Sequence, residues 1–173
     1  LYPYLQYRQI TDDLMNQPAL VVKNFIDANP TLPPARSLRS RFVNELARRS
    51  DWRGLLAFSP DKPTSTEAQC NYYYAKLSVG QSQEAWSGAK ELWLTGKNQP
   101  GACEPLFSAW RDSGQQDPLA YLERIRLAMK AGNIGLVKSL AQQMPANYQS
   151  IASAVVALAN DPNSVLKIGR AHV

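Results

Sequence analysis

The side chains able to do chemistry in this sequence are fourteen carboxylates, two cysteines, a single histidine and a surplus of arginine and lysine. Cleaving a glycosidic bond calls for a carboxyl group of raised pKa beside an apolar wall. Glu91, between Trp86 and Trp93, is the one local arrangement that hints at this. Its place beside Lys90 reads more simply as the exposed face of an amphipathic helix. His172 sits in a terminal tail, so a Ser-His-Asp or Cys-His arrangement has no base. Gly80, Gly88 and Gly96 are isolated, and Gly132 and Gly135 lack a following Lys-Ser/Thr, which removes a phosphate loop. The residues name no catalytic site.

Cys70 and Cys103 admit three readings: free thiols, one disulfide, or half of a metal site. With no Cys-x-x-Cys pair and one histidine, zinc is not expected, nor is any other cofactor. Spacing alone leaves disulfide and free thiols open. Trp52, Trp86, Trp93 and Trp110, with Tyr2, Tyr4, Tyr7 and the run Tyr72 to Tyr74, could stack on sugars or bases. In a helical array most of them serve as large core residues. At most two of three consecutive tyrosines share a helix face, so one turns to solvent or to another element.

The net charge is +5 and the pI is near 9.3, a balance that suits acidic partners such as nucleic acid, anionic lipid or an acidic glycan. The densest clusters are Arg36/Arg39/Arg41 and Arg48/Arg49/Arg53. The excess is spread out, as on solvated helix faces, and no recognition motif or concentrated basic stripe supports nucleic acid. Mean hydropathy is −0.35, and the longest apolar run, Ile151–Ala159, is far short of the roughly 18 residues of a membrane span.

The elements that must position these residues read as helix after helix. Pro3 and Pro18 suit the first turns of helices running to about Met15 and Asn29. Pro33 and Pro34 introduce a longer helix whose Leu38, Phe42, Val43, Leu46 and Ala47 form a stripe of period 3.6. Asp51 suits the N-cap of a short helix through Phe58, and Ser65 or Thr66 caps one up to Leu77. Asp117-Pro118 opens a helix that Gly132 ends. A shift of 52 residues aligns Leu77 with Met129, Gly80 with Gly132, Ala85 with Val137, and Leu92 with Met144. This periodicity predicts an all-α fold, an irregular α-hairpin superhelix of tetratricopeptide character, in which each hairpin stacks on the next.

One set of segments goes further. LYPYLQYRQITDDLMNQPA, ANPTLPPAR, RFVNELARR, DWRGLLAFSP, TEAQCNYYYAK, KELWLTGK and QDPLAYLERIRLAMKAGN closely resemble the soluble lytic murein transglycosylases of enterobacteria. The resemblance runs from Leu1 to about Leu166. It implies a periplasmic protein whose N-terminal part is a ring of α-helical hairpins, with a lysozyme-like domain at the C-terminal end. A glutamate there cleaves the N-acetylmuramic acid to N-acetylglucosamine bond of peptidoglycan, leaving 1,6-anhydromuramic ends. The family's Glu-Ser motif and Gly-Leu-Met-Gln-like segment have no counterpart here, so no catalytic residue carries over. The resemblance thus implies a helical scaffold, residues 1–166, partnered by glycan strands and by a catalytic domain outside this sequence.

Under that resemblance Arg36, Arg39 and Arg48 are expected to guide the glycan. Cys70 and Cys103 match cysteines of the family's helical domain and are expected to pair, a cross-link worth on the order of 3–4 kcal/mol by loop entropy. Residues 167–173 stop resembling the family and look like a translated sequencing adapter, so they are expected to be a non-native tail. The rival expectation is a stand-alone helical-repeat module that binds a protein or peptide.

Overall fold

Proline, glycine and cap residues set most of the helix ends. In the structure, a computed structural model that describes residues 2–161 and 163, those residues form ten α-helices and no strand. They are α1 (Tyr2–Asp12), α2 (Ala19–Ala28), α3 (Pro33–Arg48), α4 (Trp52–Phe58), α5 (Thr66–Ser78), α6 (Ser82–Trp93), α7 (Glu104–Asp112), α8 (Pro118–Lys130), α9 (Ile134–Gln143) and α10 (Gln149–Asn160). Short 3-10 turns lie at Leu14–Asn16, Gly101–Cys103 and Ala146–Tyr148. The expected boundary at Leu166 and the tail 167–173, with His172, fall outside the described residues.

Asp51 Oδ1 accepts the Gly54 N–H at 3.0 Å, and Ser65 Oγ accepts that of Ala68 at 3.2 Å. Asp117 and Asn133 cap α8 and α9 in the same way. Two expectations shift. Pro18 is the N-cap of α2, and α1 stops at Asp12 before the 3-10 turn takes over. At the end of α1, Asp12 and Asp13 place negative charge at a helix C-terminus, where the backbone dipole is already negative, an arrangement that disfavours a further turn.

Three hairpins share one turn. After α3, α5 and α8 come a cap residue, then Ser50, Gly80 or Gly132 at positive φ, then one linking residue and the next helix. In each, the residue after the positive-φ position donates back across the end of the helix. Asp51 N–H reaches Leu46 O, Gln81 N–H reaches Lys76 O, and Asn133 N–H reaches Ala128 O, all at 2.9 Å. The 52-residue correspondence is therefore physical. Ala85 and Val137 are both fully buried, as are Ala89 and Ala141 within a few per cent, one turn further along.

The described residues divide into two compact units, Leu1–Ala89 with Pro100–Trp110, and Lys90–Gln99 with the chain after Trp110. In the first, α3 lies at the centre against α2, α4 and α5. Its stripe of Leu38, Phe42, Val43 and Leu46 is wholly buried with Val22 and Leu55, each such side chain worth about 1.5–3 kcal/mol. Phe58 meets Phe42 edge-on at 4.9 Å. In the second unit, α8, α9 and α10 pack in sequence order, as in a hairpin stack. Among the described residues no helix is long and apolar enough to cross a membrane.

Candidate functional site

Arg36, Arg39 and Arg48 all lie exposed on α3. The helix turns about 100° per residue, so Arg39 and Arg48, nine positions apart, point to opposite sides and stand roughly 13 Å apart along the axis. The structure does not gather the three into one patch. Two other members of the arginine clusters, Arg41 and Arg49, are structural. Arg41 donates to the Tyr7 hydroxyl at 2.9 Å, and Arg49 reaches the carbonyls of Leu14 and Gln17, fastening the end of α3 to the turn after α1. Arg48 forks onto Glu45, Nη2 to Oε1 at 2.6 Å and Nε to both oxygens at 3.1 Å. That fork, helped by Arg49, holds the Glu45 carboxyl below its ordinary value against the opposing effect of partial burial.

Arg48 has a second setting. It stands at the rim of a cleft of about 400 Å³ that opens over the α3–α4 turn, between α4, α5 and the residues leading into α7. Two half-buried rings form one corner: Trp52, at the start of α4, and Tyr74, on α5, meet at 5.0 Å with planes 76° apart. Beside them Asn71 Nδ2 donates to Asn44 Oδ1 at 2.9 Å across 27 residues of sequence. Glu67 supplies an exposed carboxylate on the other rim. The cleft thus brings together an aromatic corner, side-chain amides and opposite charges at its edge.

The far wall is fixed by a covalent bond. Cys70, mid-way along α5, is disulfide-bonded to Cys103, with Cα atoms 4.9 Å apart and both residues buried. Ala102, next to Cys103, lines the cleft. The cap from Asp51 and the Ser50 turn hold the near wall.

The remaining aromatics divide as packing requires. Tyr72 is buried and its hydroxyl donates to Pro60 O at 3.1 Å. Tyr73 lies against Gly88, and Tyr74 takes the cleft. Trp93 is 2% exposed, donates its indole N–H to Ala120 O at 3.0 Å, and carries the Arg124 guanidinium 4.3 Å above its ring. It is core, and Glu91 lies on the exposed side of α6. Among the described residues no cluster could hold a metal ion. Sequence reasoning weighed Trp52 and Tyr74 mainly as core and passed over Asn44 and Asn71, which nothing in their spacing brings together.

No family model matches the chain. The soluble lytic murein transglycosylase of Escherichia coli strain K12 is 78% identical over 170 residues, 98% of this chain and 26% of that protein. Its Salmonella typhimurium counterpart is 76% identical over the same shares. In structure, the chain is similar to the 70 kDa soluble lytic transglycosylase of E. coli, with a TM-score of 0.91 and 78% identity over 96% of this chain and 27% of that one. The lytic transglycosylase Slt of Pseudomonas aeruginosa, solved as an inactive mutant, gives 0.86 at 33% identity, covering 97% of this chain and 27% of its own. The chain spans about a quarter of the length of the curated relatives it matches, 26% in each. Over nearly its whole length, this chain is homologous to one segment of the soluble lytic murein transglycosylases.

Proposed function

We propose that residues 1–166 are a non-catalytic helical segment of a periplasmic murein-degrading enzyme, and that they hold and orient glycan strands for a catalytic domain elsewhere in that protein. The observation that carries this reading is the 78% identity over 98% of the chain to proteins named soluble lytic murein transglycosylases. The intact protein would cleave the N-acetylmuramic acid to N-acetylglucosamine bond and leave 1,6-anhydromuramic ends. The balance, +5 over the whole sequence and still positive without Lys167 and Arg170, supports an anionic polymer as partner. On this reading Arg36, Arg39 and Arg48 act as separate contacts along a strand rather than as one patch, and residues 167–173 are foreign to the segment.

The chain should co-sediment with purified murein sacculi. Reversing charge at Arg36, Arg39 and Arg48 together should weaken that binding several-fold at low salt and much less at high salt, where exposed charges are screened. Unchanged binding in the triple variant would remove the guiding role. Capture of peptides without affinity for sacculi would favour the stand-alone helical-repeat protein-binding module.

A further inference from the structure

We propose that the cleft over the α3–α4 turn is a binding site for an N-acetylated pyranose, the repeating unit of murein-type glycan. The proposal rests on the reading above and names the contact it lacks.

The amide pair carries the argument. Asn71 Nδ2 and Asn44 Oδ1 bond each other at 2.9 Å, which leaves Asn44 Nδ2 as a donor and Asn71 Oδ1 as an acceptor without a partner among the described residues. An acetamido group presents the complement, one carbonyl oxygen and one N–H. An acetamido group can extend the row at either end, its carbonyl oxygen accepting from Asn44 Nδ2 or its N–H donating to Asn71 Oδ1; a hydroxyl can fill either place too, but it brings no methyl group to lie against the neighbouring rings. The rings supply the second element. Trp52 and Tyr74 are near perpendicular at 76°, so the face of one ring meets the edge of the other and an aromatic face remains to take the C–H side of a pyranose.

Size and setting agree. About 400 Å³ lies within the roughly 300–1,000 Å³ of ligand clefts, and the site is open, as a segment of a continuing strand requires. Its walls are set before any ligand arrives, by the Asp51 cap on one side and the Cys70–Cys103 bond on the other. Less ordering is then left for binding to pay for. Arg48 and Glu67 stand at the rim, where they bias orientation.

The test is saturation-transfer NMR on the 173-residue chain with triacetylchitotriose, using cellotriose as the sugar without acetamido groups. Strong transfer to the acetamido methyl protons is expected, with cellotriose weaker by roughly fourfold, the scale of one methyl group removed from water. Trp52→Ala and Asn71→Ser should each reduce the transfer several-fold. Asn71→Ser leaves the ring pair untouched, so it decides the matter if Trp52→Ala does not fold. Absent transfer to triacetylchitotriose at millimolar concentration, equal transfer to the two sugars, or undiminished transfer in Asn71→Ser would overturn the site. Sacculus co-sedimentation separates the two readings: if it persists while triacetylchitotriose fails, the cleft alone is wrong, and if it is lost while triacetylchitotriose binds, the glycan-holding segment is wrong and the cleft stands.

Discussion

Ser50 adopts φ 55°, a left-handed conformation that costs an L-residue about 1–2 kcal/mol, in a turn where the matching hairpins place Gly80 and Gly132. Glycine would remove that strain at the expense of a more flexible unfolded chain, so Ser50→Gly should stabilise by about 0.5–1 kcal/mol. A thermal melt should rise by roughly 1–4 °C, and a fall would contradict this account of the turn. Glu45 makes a second prediction at this scale. Its pKa is lowered in the folded chain by the Arg48 fork, so its contribution is present above the ordinary carboxylate value and is lost as pH falls through the lowered one. Denaturation at neutral pH should find Glu45→Gln less stable by up to about 1 kcal/mol, because the Arg48 partner is largely exposed. The gap should close on acidification below about pH 4.

Among the elements, α6 packs as close as it does because Gly88 has no side chain: a Cβ there would run into the Tyr73 ring. Gly88→Ala should therefore destabilise by about 1–3 kcal/mol despite alanine's better helix propensity. Gly135→Ala on α9, where a Cβ meets nothing, should be neutral or stabilising by some tenths of a kcal/mol. Urea midpoints of the two variants should move apart. The contrast marks what was legible in the sequence. Caps, proline starts and the stripe of α3 are local signals, and the helices follow them closely. The neighbours of Gly88 are set by how two helices cross, and no residue type announces that. For the same reason α5 shows no single apolar stripe: α3, α4 and the turn before α7 all pack on it. Asn44 and Asn71 meet only through that packing, so the half of the cleft that would read an acetamido group was invisible, while Trp52 and Tyr74 were visible but looked like core.

For the molecule as a whole, the Cys70–Cys103 pairing was legible only through resemblance; two cysteines and their spacing left it undecided. The bond spans a sequence separation of 33, and the Cys70→Ala/Cys103→Ala double variant should lose on the order of 3–4 kcal/mol, read as a lower urea midpoint. A variant with an unchanged midpoint would mean that the native contacts alone hold the start of α7 against α5.

Both half-cystines are buried, at 0% and 1% exposure, so a thiol reductant meets them only after the chain opens around α5. At high reductant, cleavage of the bond then proceeds at the opening rate and stops depending on reductant concentration. The cross-link thus serves as an internal clock. The plateau rate of its reduction times the opening of the wall it holds, and a sugar seated in the cleft would slow that clock.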